Sequence, residues 1–411
     1  MNHHLNSRGP RLWLLALLVA ACAVAAGCGG GANAAPSSGG GALKSGQTYK
    51  VGYAVSKTGR LTFFEEPFLK GLELGIEQIN AAGGIDGKVK IQLEQRDSRS
   101  DPSTTGTVSQ ELIDDGVKFL ITPCDADVSL PGGQAAQRAK IPVLNSCGSG
   151  SSLPSQVGNF QFMNVYGTVA MGAAMSELAL SQGHKSAYVM SSNDIYYTQS
   201  TADAAQAVFK KGGGQITGST SFKISQPRYP AQATAIAKAS PAPDALLTSI
   251  FVPDSVSFLK QLRAEGYRGP VYMNDGNDAP ILFDAGAAAN NVFVATHAFA
   301  QSGNETEKFA AAYKQKYGKP PESVFAAVGG DAARLIAEAV KQAGTTDPQA
   351  VRDAFANLAN VDGVTGKISY KGSPTPGVPI KDVVFEEVKN GKFVFVKRFF
   401  PKDVPAVTAA G

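Results

Sequence analysis

The sequence predicts an α/β protein made of two units similar in plan, and three observations predict it. From Tyr49 onward, short apolar runs alternate with amphipathic stretches of helical period, the pattern of right-handed βαβ units on a parallel sheet. The same rhythm repeats in the second half of the chain. A chain of 411 residues is also too long for one hydrophobic core and suits two domains.

The first residues stand apart from that body. Residues 1–11 carry Arg8 and Arg11 and no acid, and residues 12–26 are almost wholly apolar, ending in small side chains. A positive start, a short apolar core and a small-residue exit are the order of a secretory signal, and the run is shorter than the ~20 residues of a bilayer-spanning helix. Ala25-Ala26-Gly27-Cys28 reads as a lipobox, which makes residues 1–27 the signal and Cys28 the lipidated first residue of the mature chain. Val19-Ala20-Ala21-Cys22 fits as well, but cutting there leaves an apolar stretch at the new terminus. The remainder of residues 28–46 is rich in Gly, Ala and Ser, gains little by ordering, and reads as a flexible tether.

Composition narrows the function classes. The formal charge of +4 falls to +2 once Arg8 and Arg11 leave with the signal, and no basic cluster interleaved with aromatics appears, so nucleic acid is not an expected partner. Beyond Cys22 and Cys28 only Cys124 and Cys147 remain. In an exported chain they are a candidate disulfide, although sequence cannot supply the Cα separation that a bond requires.

Taken in order, TYKVGYAV (48–55) is a buried-strand run followed by a loop, SKTGRLTFFEE (56–66). Pro67 then opens a helix that keeps Phe68, Leu72, Ile76 and Ile79 on one face until Gly83-Gly84 stops it. KVKIQLEQRD is a second strand. A helix through 108–112 leads to strand VKFLITP, and a helix over 134–140 leads to IPVLNS. The second half gives a helix over 171–180, strand KSAYVMSS, a helix over 201–211, strand GQITGSTSF and a further helix. Strand DALLTSIF, a helix over 255–265 and strands PVYMN and NVFVATHAF follow. Helices over 307–317, 324–343 and 350–358 precede VTGKISY and a hairpin, KDVVFEEVKNGKFVFVKRF, turned at Asn390-Gly391. Periodicity does not decide which unit receives that hairpin.

Enzyme signatures are missing. His3 and His4 leave with the signal, while His184 opens a strand and His297 ends another, far away in sequence. There is no GxSxG, no GxGxxG after the first strand and no GxxxxGK[ST]. NDGNDA (274–279) resembles part of a calcium loop but has no glutamate at the twelfth place, so it reads as a turn. No catalytic residue, metal or cofactor is expected. What recurs instead is small polar residues just beyond strand ends, where open parallel sheets bind ligands. In CGSGSS (147–152), Gly148 and Gly150 let backbone N–H groups approach a ligand, and Ser149 adds a hydroxyl. Six such edges from two units point to a cleft between lobes.

PFLKGLELGIEQINAAGGIDGKVKIQLEQRDSRSDP (67–102) resembles the N-terminal segment of type I periplasmic binding proteins, in the leucine/isoleucine/valine-binding branch. The likeness runs through KQLRAEGYRGPVYM and GGDAARLIAEAVKQAG to the last hairpin. It implies two doubly wound α/β lobes joined by three crossovers, with residues 47–165 and 298–370 in one lobe and 166–297 and 371–411 in the other. It also implies a monomer that captures a small solute, with an ABC permease and ATPase as partners and the membrane reached through the lipid. A sensory receptor of the same fold is the alternative.

Position by position, the resemblance places Phe64 as an aromatic wall, Ala126 where the family commonly has a hydroxyl, and Cys147, Gly148 and Ser149 around an α-carboxylate. In the second lobe it places Tyr196 as a closing ring, Phe251 where the family has tyrosine, and Asp275 as the partner of an α-ammonium, one methylene shorter than the usual glutamate. Asp125 and Asp127 flank the expected carboxylate position, where an inward-facing acid repels a ligand carboxylate. An amino acid is the leading ligand class, with amides, cations and neutral polar solutes as alternatives.

Overall fold

The computed structural model describes residues 41–407. The signal at 1–27, Cys22, Cys28 and the tether up to residue 40 lie outside the described residues.

Strand β1 (Gln47–Val55) is followed by α1 (Thr62–Ala81), β2 (Val89–Asp97), α2 (Pro102–Asp114), β3 (Phe119–Thr122), α3 (Ala126–Ala139), β4 (Val143–Asn145), the short α4 (Leu153–Val157) and β5 (Gln161–Met163). These strands form a parallel sheet in the order β2-β1-β3-β4-β5. The chain then crosses to a second lobe of α5 (Thr168–Ser181), β6 (Ser186–Ser191), α6 (Tyr196–Lys211), β7 (Gln215–Ser221), α7 (Pro230–Ala237), β8 (Ala245–Thr248), α8 (Asp254–Ala264), β9 (Val271–Met273) and β10 (Val292–Thr296). A second crossover leads back to α9 (Glu305–Tyr317), α10 (Phe325–Ala343), α11 (Pro348–Ala356) and a small antiparallel pair, β11 (Val361–Asp362) and β12 (Lys367–Ile368). A third crossover delivers β13 (Val383–Lys389) and β14 (Lys392–Phe399), a hairpin that joins the second sheet antiparallel to β10. The second sheet runs β14-β13-β10-β9-β8-β6-β7. The two doubly wound lobes and three crossovers are thus present as the family resemblance implied.

Each lobe has its own core. In the first, Tyr49, Val51, Phe68, Leu72 and Phe119 pack with Val328, Ile336 and Phe355, so α10 and α11 cover a sheet whose strands end before residue 164. Burying each Phe or Leu contributes roughly 1.5–3 kcal/mol. The α1–α10 approach depends on glycine. A Cβ on Gly71 would lie 1.8 Å from the Ala326 carbonyl oxygen, and one on Gly329 would lie 2.1 Å from that of Phe68. In the second lobe, Phe258, Leu262, Val271 and Val294 form one cluster, and Met171, Met175, Phe209 and Tyr272 form another on the opposite sheet face.

Three details differ from the sequence reading. Helix α1 starts at Thr62, because the Leu61 carbonyl already accepts the Phe64 and Glu65 N–H groups, and Pro67 sits inside the helix rather than at its start. Helix α3 starts at Ala126, because the Asp125 side chain accepts the Asp127 and Val128 N–H groups and caps it despite Pro131. The three-residue β5 and the five-residue α4 are too short to carry a period. The hairpin turn is as expected, with φ of 50° at Asn390 and 72° at Gly391, the left-handed pair that a two-residue turn requires.

Candidate functional site

The C-terminal ends of β1, β3 and β4 face those of β8 and β9 across a cavity of about 60 Å³ between the lobes. Phe64, Phe251 and Phe325 are among its apolar lining.

On the first lobe, one buried carboxyl holds the strand ends together. Glu65 Oε1 accepts the Cys124 N–H (2.6 Å) and the Ser146 hydroxyl (2.8 Å), and Oε2 accepts the Ser56 N–H (3.0 Å) and the Tyr53 hydroxyl (2.7 Å). The segments following β1, β3 and β4 are thereby tied to the first turn of α1. Burial pushes the Glu65 carboxyl up to about 7, against the opposing pull of these hydrogen bonds. Beside it, Cys124 and Cys147 form a disulfide with a Cα separation of 4.6 Å, and both line the cavity.

Asp275 is the centre of the second-lobe half. It starts the 3-10 turn Asp275–Asn277 after β9, a turn anchored by Asn277 Nδ2 donating to the Ile250 carbonyl and Asn274 Nδ2 to that of Ser249. Its Oδ1 accepts the Tyr197 hydroxyl at 2.5 Å, and its Oδ2 accepts the Ser149 hydroxyl at 2.9 Å, a bond between lobes. His297 Nε2 lies 2.9 Å from the same Oδ2. Tyr197 is held in place by the Gly276 N–H on its oxygen (3.2 Å) and by edge contact with Phe251.

The acids of the 124–127 loop are arranged so that their charge is partly cancelled. Arg60 donates to Asp125 Oδ2 at 2.7 Å, while Asp125 Oδ1 is spent on capping α3. Burial, and then the neighbouring Asp125, raise the Asp127 carboxyl above its ordinary range. The like-charge conflict expected from the sequence is therefore relieved at Asp125 by a cation sixty-five positions away in the chain.

Phe64, Asp125, Ala126, Cys147, Gly148, Ser149, Phe251 and Asp275 all line this one cavity. Tyr196 does not: it begins α6 next to Gly150, its backbone N–H serves the Asp127 carboxylate, and the adjacent Tyr197 lines the cavity instead. A helix turns by roughly 100° per residue, so consecutive tyrosines at its start cannot share a face. Thr58, in the loop after β1, donates to Asp97 and is not part of the lining. Arg60 and Phe325 were not singled out from sequence. Phe325 had no signal there, since it reaches the site from α10 on the far side of the second crossover.

A family model described as periplasmic binding protein matches residues 48–392. The chain belongs to the periplasmic binding protein family. Among relatives of this periplasmic binding protein, Leu/Ile/Val-binding protein homolog 1 of Brucella abortus (strain 2308) is 25% identical over 356 residues, covering 85% of this chain and 93% of the relative. The crystal structure of the leucine binding protein LivK from Thermotoga maritima superposes with a TM-score of 0.76 at 25% identity, covering 86% of this chain and 99% of that one. LivJ from Streptococcus pneumoniae, solved in complex with isoleucine, gives a TM-score of 0.76 at 22% identity over 86% and 100% of the two chains, a likeness of fold. This periplasmic binding protein is thus of type I, in the Leu/Ile/Val-binding-protein branch. Family and fold are those of solute-binding proteins rather than enzymes, and the family implies export. Among the described residues, no helix is long and apolar enough to cross a membrane.

Proposed function

We propose that this protein captures a small amino-acid-type solute between its lobes by hinge closure and hands it to the permease of an ABC importer, tethered to the membrane by a lipid on Cys28. The observation that carries the reading is the Ser149–Asp275 pair: a hydroxyl of the first lobe and an acid of the second meet at 2.9 Å beside the cavity. A zwitterion inserted there places its ammonium on Asp275 and its carboxylate on Ser149 and the backbone around Gly148 and Gly150. Phe64, Phe251 and Phe325 suit an apolar side chain.

The two lobes then move as bodies about the three crossovers, residues 47–165 with 298–370 against 166–297 with 371–411. Solute shifts the population toward the closed form only by its differential affinity for that form. The lipid and the 28–46 tether raise the effective concentration of loaded protein at its permease. Calorimetric titration with L-leucine, L-isoleucine, L-valine, their amides and the corresponding amines tests the reading. The expected result is binding of at least one amino acid, lost in D275A. Absence of binding across the panel, or unchanged binding in D275A, overturns it.

A further inference from the structure

His297 lies fully buried at the first position of the second crossover, and it touches the acid on which ligand recognition is proposed to depend. Its Nε2 is 2.9 Å from Asp275 Oδ2, its ring packs at 4.4 Å against Tyr166 of the first crossover, and Phe325 at the head of α10 lies at 6.0 Å. Its other nitrogen, Nδ1, is buried with no hydrogen-bond partner. A carboxylate oxygen can only accept, so Nε2 carries the proton. A proton added at Nδ1 would create a buried N–H with no acceptor and a buried cation beside Asp275, both costly.

We propose that His297 is a positioning residue of the cleft: as a neutral imidazole donating through Nε2–H, it fixes the Asp275 carboxylate toward the solute and fastens it to the second crossover, so that occupancy of Asp275 is transmitted to the hinge. This rests on the reading of Asp275 as the solute's cation partner. An acid at the rim of a cleft can rotate away from it. Here Oδ2 is held from behind by the crossover histidine and Oδ1 by Tyr197, which leaves the Ser149 bond as the one a solute exchanges for its own.

The surroundings support a neutral ring. Burial lowers the His297 pKa most. Asp275 opposes this by hydrogen bond and charge, Lys381 of the third crossover adds to the lowering, and Asp331 of α10 opposes it. Protonation therefore occurs below the ordinary histidine range. It pairs an internal cation with Asp275 and competes with a solute ammonium for the same carboxylate.

The test uses the full chain labelled with ¹⁵N-histidine, whose 4 histidines are few enough to assign by comparison with H297Q. At neutral pH the His297 ring is expected to be neutral with the proton on Nε2, and D275N is expected to shift that nitrogen. A ring protonated on Nδ1, or doubly protonated at neutral pH, overturns the proposal. In parallel, L-leucine titrations are expected to show H297F weakened by ~10-fold or more and H297Q, which keeps a donor, restored to within ~3-fold of wild type. Wild-type affinity is expected to fall ~10-fold per pH unit below the measured His297 pKa, a limb absent from H297Q. Equal affinity and equal pH profiles for wild type and H297F overturn the positioning role. If wild type fails to bind L-leucine, that solute is excluded under the proposed function, while the nitrogen spectra still decide the state and partner of the histidine.

Discussion

Ser149 and Asp275 stand 126 positions apart in the chain, on opposite lobes, and share a hydrogen bond of 2.9 Å. Two groups that each suit one end of a zwitterion thus satisfy one another when the cleft is closed without solute. Under the proposed function a solute replaces this bond rather than adding to an empty site, and its net gain is what it offers beyond the exchange. S149A is expected to weaken binding of the amino acid found by titration by ~10-fold, the worth of one hydrogen bond to a charged group. It is also expected to shift the solute-free protein toward an open form with a larger radius of gyration by small-angle scattering.

The two adjacent tyrosines separate cleanly in position. Tyr197 donates to Asp275 and lines the cavity, whereas Tyr196 lies outside the lining. Y197F is expected to cost ~10-fold or more in affinity, through the lost charge-assisted bond, and Y196F less than ~3-fold. Calorimetry on the two single variants checks this.

Glu65 makes stability depend on pH in an unusual direction for an acid. Its folded carboxyl keeps its proton up to about 7, while the unfolded chain loses it near the ordinary value of 4.5. The stability from this group is present below 4.5 and falls by about 3 kcal/mol as pH rises to about 7. Asp278, also raised to about 7 by burial, adds in the same sense. Urea denaturation across this window is expected to show a shallower decline for E65Q than for wild type.

The cavity-lining disulfide closes a loop between positions 23 apart. Chain-entropy arguments give such a link about 3 kcal/mol of stability. The paired variant C124S/C147S is expected to lose about that much in chemical denaturation. Affinity is expected to fall as well, because the bond joins the two segments that carry Ala126 and Ser149.

The periodicity of the long elements carried the architecture: α1, α10 and the buried strands announce themselves through residues such as Phe68, Leu72 and Ile76. Local chemistry was harder to read where an element starts against its apparent punctuation. Pro67 looks like a boundary and the second helix reads only over 134–140, yet Leu61 and Asp125 begin the helices earlier, and that shift moves Glu65 and Ala126 from loop to helix. Ser149 and Asp275 could be named from strand ends and resemblance alone. Arg60, Phe325 and His297 reach the cleft through contacts distant in sequence, which no local pattern encodes.

Part of the roof of the first sheet is written late. Phe68 and Leu72 lie against α10, and the Gly71–Ala326 approach leaves no space for a side chain at position 71. A chain threaded outward from its amino end therefore presents one sheet face only partly covered, by α1, while the other lobe is still to emerge. Each half waits for segments from beyond the other, α10 and α11 returning to the first lobe and β13 and β14 to the second, so truncation anywhere before α10 forfeits the amino-terminal half rather than merely shortening the tail.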